Sequence, residues 1–350
     1  MWQIIYAIHA MNPNMIIRAI SPLRMSFAGG GTDIAEYWRD HGGAVINSTI
    51  NWYAHTHLSP THDQLRVISL DYGTDTKIEH FGYDGKNDLI KATFNRIARG
   101  KHKGGAEFLI HTDAPPGSGL GASSAVIVSL IGAINLWINR TMDNYEVAEV
   151  AYDIERNDLG IRGGYQDQFA TTFGGFNYIE FLRDGKVIVH PLRIEKDNIN
   201  ELESHLLLCY TGSTRLSARI IEKQVDTLAE GINIAALHEQ KKIAIEMKNA
   251  ILKGSFDDFG HLLDEAWQGK KTLAKAITSS HIDRLYSAAR NAGAVGGKIL
   301  GAGGGGYLLL YCNYRKKHEV ERLMRSMGAT HMPFSFVKDG MKAWRSKNVI

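Results

Sequence analysis

The 350-residue chain is long enough for two domains, and its 44% hydrophobic content can supply a buried core for each. Its formal net charge is only +3 and it has no long basic run, so we expect a small-molecule partner rather than nucleic acid. No apolar run reaches the ~18 residues that cross a membrane, and residues 1–14 lack a signal-peptide pattern. We therefore predict a cytoplasmic protein that binds neither nucleic acid nor membrane.

The two cysteines, Cys209 and Cys312, each lie in an apolar, strand-like run. The chain contains no C-x-x-C, H-E-x-x-H or G-x-S-x-G pattern, which argues against the common zinc and serine-nucleophile sites. We interpret both cysteines as buried thiols in a reducing compartment.

The first predicted strand, residues 16–26, enters the turn Gly29-Gly30-Gly31-Thr32-Asp33. Three consecutive glycines let the backbone approach a ligand closely, and Thr32 and Asp33 present oxygens beside it. Asp33 is suited either to accept hydrogen bonds from sugar hydroxyls or to cap the predicted helix 34–40. Both roles remain open at this point, and one does not exclude the other.

Two histidines, His55 and His57, lie two residues apart in a predicted strand at 44–58. This spacing places them on one face of the strand. A metal site would need further ligands, so we interpret them as part of an exposed face. A second strand at 64–70 and a helix at 89–99 follow.

The stretch from Pro115 to Ala125, P-P-G-S-G-L-G-A-S-S-A, lies between an apolar run at 107–112 and an apolar helix at 126–139. Its glycines permit a tight bend, while Ser123 and Ser124 lie where the helix needs a cap. A helix start offers free N–H groups and positive potential to a phosphate. We hypothesise that this loop holds a nucleotide triphosphate, although such a stretch can also be only a turn and a cap.

Two other nucleotide motifs fit the sequence poorly. The loop matches G-x-G-x-x-A formally, but two prolines separate its glycines from the strand, and no strand ending in an acidic residue follows at the required distance. A P-loop is absent, since Gly297-Lys298 is followed by Ile299.

A second acidic candidate, Asp167, follows a predicted helix at 144–157 and the glycines at 160, 163 and 164. An aspartate at the start of a helical segment is most often a cap, and less often catalytic. A hairpin at 174–179 and 186–192 then completes the first domain. We divide the chain into an extension at 1–14, an N-terminal domain at 15–200 and a C-terminal domain at 201–350.

The predicted C-terminal domain opens with a strand at 205–210 and a turn that carries Arg215. A guanidinium binds phosphate through two hydrogen bonds, so Arg215 is a candidate for a distal phosphate. Helical periodicity continues to about residue 275, with breaks expected at Gly254 and Gly269, and a helix at 280–291 follows. The glycine run at 301–306 then leads into predicted elements at 307–312 (strand), 317–327 (helix) and 332–337 (closing strand).

Three separated segments resemble the motifs of the GHMP kinase superfamily, which includes galactokinase, homoserine kinase and mevalonate kinase. Residues 22–33 are similar to its first motif, residues 115–125 to its second and residues 298–306 to its third. The resemblance implies an α+β fold of two domains. The N-terminal domain would be similar to domain 2 of ribosomal protein S5, and the C-terminal domain would be ferredoxin-like.

Within this superfamily, S-P-L-R-M-S-F-A-G-G-G-T-D and T-G-S-T-R-L-S most resemble the D-glycero-D-manno-heptose 7-phosphate kinases. The resemblance implies ATP-dependent phosphorylation of an anomeric hydroxyl, with L-fucokinase or another sugar 1-kinase as the alternative. Galactokinases carry G-E-H-T-D where this chain has Gly29 to Asp33. A non-catalytic sugar and nucleotide sensor on the same fold is the alternative of another class.

The resemblance also implies residue roles. Asp167 would be the catalytic aspartate with Arg24 beside it, and Ser124 and Glu155 would bind Mg²⁺. The ATP-binding loop would comprise Pro116, Gly117, Ser118, Gly119, Leu120, Gly121, Ala122, Ser123 and Ser124. The sugar phosphate would be bound by Gly30, Gly31, Thr32, Asp33, Gly163, Gly164, Gln166, Arg215 and Gly304. We expect the adenine pocket to lie between Asp71 and Arg96 and assign no individual residues to it.

Overall fold

The computed structural model describes residues 15–100, 104–212, 220 and 233–347. The predicted extension at 1–14 and the candidate Arg215 lie outside the described residues. No helix within the described ranges is long and apolar enough to cross a membrane.

Among the described residues the larger sheet has eight strands, and its central strand β2 is also its longest. These strands are β1 (Met15–Ala28), β2 (Gly43–Thr61), β3 (Leu65–Ser69), β4 (Thr74–Ile78), β5 (Gly105–Thr112), β6 (Phe176–Phe181), β7 (Val187–Pro191) and β12 (Lys342–Lys347). Their order is β12-β1-β2-β5-β3-β4, and β6 pairs with β2 and with β7. The length of β2 lets its first part pair with β6 and its second part with β5.

The first half of the chain covers this sheet with α1 (Ala35–His41), α2 (Asp88–Ile97), α3 (Ala122–Trp137), α4 (Asn144–Asp153) and α5 (Gln166–Phe173). Almost every side chain of α3 is buried, which explains why its sequence is apolar around the whole helix. It packs on β1 and β2. A short π-helix, Ile154–Asp158, continues α4 and carries Glu155.

The smaller sheet contains β8 (Leu206–Tyr210), β9 (Ala294–Ile299), β10 (Tyr307–Cys312) and β11 (Thr330–His331), all antiparallel, in the order β11-β8-β10-β9. This is the strand order of a ferredoxin-like fold, as predicted. The described helices of this half are α6 (Lys196–His205), α7 (Ile234–Lys253), α8 (Phe256–Leu273), α9 (Ser280–Asn291) and α10 (Tyr314–Ser326), with a 3₁₀ turn at Lys275–Ile277. Cys209 and Cys312 are free and buried in this sheet, as expected.

One apolar cluster joins the two sheets. Phe27 at the end of β1 makes edge-to-face contacts with Phe259 of α8 and with Phe336, at ring-centroid distances of 5.4 and 6.0 Å. Such pairs contribute about 0.5–1.5 kcal/mol beyond the area that they bury. The cluster therefore holds β1 against the C-terminal half, and β1 also carries Arg24.

Several elements differ between the prediction and the structure. Gly269 does not break a helix, because α8 continues through it to Leu273. The short strand β4 was not predicted. The closing strand is β12 rather than 332–337, where Phe336 makes an isolated bridge to Ile50 and packs in the apolar cluster.

The domain division at residue 200 stays a prediction, with one correction. β12 pairs antiparallel with β1, from Met15 opposite Lys347 to Ile20 opposite Lys342. Residues 342–347 therefore belong to the first sheet and not to the predicted C-terminal domain. The physical reason is that the outer edge of β1 offers backbone groups that need a partner. In addition, the predicted boundary falls within α6.

Candidate active site

The loop before α3 is bent by three glycines with positive φ, namely Gly117 (75°), Gly119 (86°) and Gly121 (74°). Gly121 is the N-cap of α3, and among the described residues no side chain caps this helix. The prediction that Ser123 and Ser124 act as caps is wrong, because both lie inside the first turn and donate their hydroxyl groups to Glu155. The uncapped helix start keeps the positive potential that favours a phosphate.

Arg24 and Asp167 form a bidentate ion pair beneath this loop. Arg24 Nε donates to Asp167 Oδ1 and its Nη2 donates to Oδ2, both at 2.6 Å. A third hydrogen bond of 2.6 Å runs from Arg24 Nη1 to the carbonyl oxygen of Gly119. The guanidinium therefore ties the carboxylate to the phosphate-loop backbone, with fixed geometry on both sides.

Local irregularities in β1 place Arg24 at this position. The pairing of β1 with β2 shifts register between Pro22 and Arg24 and again between Ser26 and Ala28. Bulges of this kind redirect side chains next to sites. The backbone N–H of Arg24 also donates to the carbonyl oxygen of Leu120 at 3.0 Å, so the strand and the loop are held together directly.

Asp33 does not cap α1, whose N-cap is Ile34. Its carboxylate accepts from the backbone N–H of Gly31 at 2.9 Å and of Gln166 at 3.3 Å. Burial raises the pKa of Asp33, the N–H of Gly31 opposes that rise, and the charge of Asp167 adds to it. Gly164 must lack a side chain here, because a Cβ would lie 1.9 Å from Asp33 Oδ2.

The carboxylate of Glu155 accepts hydrogen bonds from three side chains around the start of α3. Its carboxylate accepts from Ser123 Oγ, from Ser124 Oγ at 2.7 Å and from Gln168 Nε2 at 2.6 Å. The predicted ligands Ser124 and Glu155 are therefore neighbours, and both present hard oxygen atoms. This donor set fits Mg²⁺, which prefers one or two carboxylates together with water and phosphate oxygens.

Two cavities meet at the loop. A cleft of about 240 Å³ is lined by Arg24, Asp33, Asp167 and the loop. A more apolar cavity of about 520 Å³ is lined by β3, β4 and the start of α2, including Asp71, Tyr72 and Ile90. Gly117, Ala122 and Ser123 line both. Many residues that line the second cavity, including Asp71, Tyr72 and Ile90, lie in the stretch 71–96 expected for the adenine pocket.

Several polar atoms lining the smaller cleft have no partner among the described residues. They are Ser26 Oγ, Ser118 Oγ, Gln166 Oε1 and Arg156 Nε, all buried. Leaving a buried polar atom unpaired costs about 1–3 kcal/mol, so these atoms indicate a polar ligand. Hydroxyl or phosphate oxygens would satisfy them.

The opposite wall of the cleft carries two buried lysines. Lys270 Nζ donates to the carbonyl oxygen of Gly301, and Lys298 Nζ donates to that of Phe27 at 2.8 Å. Burial lowers the pKa of Lys270 to about 7, with a further contribution from the charge of Arg24. Burial, together with the charges of Lys270 and Arg24, lowers the pKa of Lys298 well below its ordinary value.

Comparisons with known proteins identify the family of this chain. Residues 88–175 match the GHMP kinases N terminal domain, and residues 247–332 match the GHMP kinases C terminal description. A Campylobacter jejuni protein named D-glycero-alpha-D-manno-heptose 7-phosphate kinase is 39% identical over 336 residues, which cover 94% of this chain and 99% of that protein. The chain belongs to the GHMP kinase family.

Solved structures of GHMP kinases extend the match. A Bacteroides thetaiotaomicron structure named D-glycero-D-manno-heptose 1-phosphate kinase is 34% identical, with a TM-score of 0.79 over 94% of this chain and 98% of that one. A galactokinase from Lactococcus lactis shares the fold at 16% identity, with a TM-score of 0.75 over 97% of this chain and 98% of that one. The predicted fold class, with its two GHMP kinase domains, is confirmed.

Not every residue that the sequence analysis assigned to the substrate lines the cleft of this GHMP kinase. Thr32 is buried and its hydroxyl donates to the carbonyl oxygens of Gly29 and Ala44. The N–H of Gly304 donates to Ile277, while Gly301 and Ala302 line the cleft instead. Gly163 lies against Arg156, and Leu120, which was assigned to the ATP-binding loop, is in the core. Packing and hydrogen bonds within the protein therefore use these residues, and they do not face the cleft.

Other cleft residues were missed. Lys298 is buried at the start of the third motif. Its place in that motif is a sequence signal that could have identified it as a cleft residue. Lys270 lies on the apolar face of α8, in register with Trp267 and Leu273, where a lysine departs from the helical pattern and is a signal that the sequence offers. Ser26 occupies an ordinary position in a strand, and no local pattern marks it.

Proposed function

We propose that this chain is an ATP-dependent kinase that phosphorylates the anomeric hydroxyl of D-glycero-alpha-D-manno-heptose 7-phosphate. The product is the 1,7-bisphosphate, an intermediate for nucleotide-activated heptose. The observation that carries the proposal is the Arg24–Asp167 pair beneath a glycine-bent helix start, in a chain 39% identical to a kinase of that name.

The two adjoining cavities suit the two substrates. The larger, more apolar cavity accommodates the adenosine, since about 300–1,000 Å³ is typical of such pockets. The triphosphate then follows the loop from Gly117 to Ser123, and its last phosphate reaches the smaller cleft. Gly117, Ala122 and Ser123 of this loop line both cavities. Backbone N–H groups at the start of α3 neutralise part of its charge.

Ser124 and Glu155 would hold a Mg²⁺ ion at the start of α3. When bound, the ion neutralises charge on the phosphates that it contacts. Gln168 supports this arrangement because its amide nitrogen, 2.6 Å from Glu155 Oε2, fixes the orientation of the carboxylate. This proposal predicts that Glu155 matters for the metal and not for the sugar.

Asp167 would orient the anomeric hydroxyl and accept its proton as the new O–P bond forms and the bond from the γ-phosphorus to ADP breaks. Arg24 donates to both carboxylate oxygens and so fixes the direction in which Asp167 faces the cleft. A carboxylate suffices as the proton acceptor, because an anomeric hydroxyl is more acidic than an ordinary alcohol. In addition, phosphoryl transfer depends mainly on position and charge neutralisation.

The sugar would occupy the cleft beside Asp33, whose carboxylate accepts hydrogen bonds from hydroxyl groups. Ser26 and Gln166 supply the unpaired polar atoms that further hydroxyls would satisfy. Lys270 and Lys298 add positive potential from the opposite wall. Arg215 remains our candidate for the 7-phosphate, although it lies outside the described residues.

A coupled ADP-release assay with heptose 7-phosphate, L-fucose and D-galactose tests the proposal. We expect turnover with heptose 7-phosphate and a product whose ³¹P spectrum shows a new phosphate coupled to the anomeric proton. Preference for L-fucose would contradict heptose 7-phosphate as the substrate. It would favour an activity like that of the protein named L-fucokinase/L-fucose-1-P guanylyltransferase from Bacteroides fragilis. That relative is 27% identical over 333 residues, which cover 85% of this chain and 34% of that protein. ADP release that no sugar stimulates would indicate a sensor.

A further inference from the structure

A second group of chemically active side chains lies on the solvent face of the larger sheet. His55 of β2 lies directly opposite His111 of β5, and Asp113 follows two residues after His111. Alternation along a strand puts positions i and i+2 on one face, so all three side chains project from the same side of the sheet. In the sequence only His55 and His57 stood out as a pair. The pairing of β2 with β5 brings His111 and Asp113 beside His55, whereas His57 stays outside this group.

The three side chains are close enough to share one ion. One possible ligand atom from each of His55, His111 and Asp113 lies within 4.8 Å of the other two. His55 Nε2 is 3.5 Å from Asp113 Oδ2, and that oxygen also accepts from the backbone N–H of Tyr53 at 2.8 Å. The second bond fixes the carboxylate beside the rings, as outer contacts of metal ligands commonly do.

Small side-chain rotations complete the geometry. The two imidazole rings are stacked, with centroids 4.3 Å apart and an interplanar angle of 1°. An ion bound about 2.0–2.1 Å from each nitrogen must lie in the plane of both rings, so at least one ring has to tilt out of the stack. His111 Nδ1 is buried and has no hydrogen-bond partner among the described residues. Rotation of this ring therefore breaks no hydrogen bond at Nδ1.

We propose that His55, His111 and Asp113 form a binding site for a divalent transition metal such as Zn²⁺. Two imidazoles and one carboxylate suit zinc and its first-row neighbours, whereas Mg²⁺ prefers oxygen ligands. The site is chemically distinct from the Ser124 and Glu155 oxygens. The partly exposed side chains of His55 and Asp113 leave the remaining coordination positions to water.

This site would act as a clamp between β2 and β5 next to the larger cavity. Thr112 lies between the ligands His111 and Asp113 and lines that cavity. Asp71, which accepts from the backbone N–H and the hydroxyl of Thr112, lines it as well. A metal bound across the two strands would therefore fix one wall of the cavity, whatever ligand the cavity takes.

Calorimetric titration of the tag-free full chain with ZnCl₂, without nucleotide, tests the proposal. We expect one zinc per chain, and a loss of affinity of about tenfold or more in both His55→Ala and His111→Ala, because each removes one of three ligands. His57→Ala is the matched control, since His57 shares the strand and the face of His55 but is outside the cluster. Its zinc affinity should equal that of the original chain.

Unchanged zinc affinity in His55→Ala, or an equal loss in His57→Ala, would overturn the proposal. Thermal denaturation without metal verifies that each variant folds. If a variant does not fold, the histidine-ring resonances of the original chain decide the question, since one equivalent of Zn²⁺ should shift two imidazoles. A uniform shift of many histidines would contradict a defined site.

Discussion

Arg24 and Asp167 on the N-terminal wall of the cleft are joined by two hydrogen bonds of 2.6 Å, whereas Lys270 and Lys298 on the opposite wall donate to backbone carbonyls. On the first wall the ion pair fixes the orientation of the Asp167 carboxylate, as is required of a group that orients a hydroxyl. The second wall supplies positive potential without a charged partner of its own among the hydrogen bonds described. Changes on the first wall should therefore affect turnover, and changes on the second should affect binding and its pH dependence.

Asp167→Asn should have the largest effect. We expect kcat to fall about 10²-fold or more, because an amide cannot accept the proton and does not hold the charge of Arg24. Steady-state kinetics with heptose 7-phosphate measure the change, and nucleotide titration should show ATP binding close to that of the original chain. The contrasting variant is Asp33→Asn, which should mainly raise the KM for the sugar. Near-normal kcat in Asp167→Asn would contradict the division between the walls.

Gly121→Ala should lower kcat/KM for ATP by about tenfold. A residue other than glycine at φ 74° costs about 1–2 kcal/mol, and the new Cβ would lie 3.2 Å from Arg24 Cγ and 3.4 Å from Asp167 Oδ2. The matched control is Gly100→Ala, with φ 73° and no atom within 4 Å of the new Cβ. Both variants should lose similar stability in urea unfolding. Equal losses of activity would show that the loop contact with the ion pair is unimportant.

Lys270→Met should have the smallest effect, visible mainly in the pH profile. Because burial lowers the pKa of Lys270 to about 7, the amine is charged below that pH and increasingly neutral above it. Between pH 7 and 9 we expect the KM for the sugar phosphate to rise about fivefold in the original chain, which corresponds to about 1 kcal/mol. The KM of the variant should be higher at pH 7 and change little over this range.

Stability gives a second readout of Lys270. Between pH 7 and 10.5 the unfolded state binds more protons at this lysine than the native state, so its linkage contribution to the free energy of unfolding rises with pH. Lys270→Met should remove that part of the slope. Lys271→Met is the control, because Lys271 is its neighbour in α8 and lies over the Trp267 ring, 5.8 Å from its centroid. If the free energy of unfolding had the same pH dependence in both variants, Lys270 would not be the group that titrates between pH 7 and 10.5.

The sequence predicted the parts of the site that depend on local backbone geometry. Gly117, Gly119 and Gly121 have the positive φ values that motivated the phosphate-loop hypothesis. The apolar character of α3 likewise follows from burial of nearly the whole helix, which is visible in the sequence. The helix cap was predicted wrongly because a serine hydroxyl can equally well bind a distant carboxylate, here Glu155.

By itself, the sequence determined the glycine bends, the order of strands and helices around them and the resemblance to GHMP kinases, because these depend on neighbouring residues. Only the tertiary structure decided which side chains meet. Asp167 reaches Arg24 across 143 positions of chain, and His55 reaches His111 through the register of two strands. Lys270 enters the cleft because one apolar cluster holds the two sheets together. Such contacts depend on long-range packing, which no local pattern encodes.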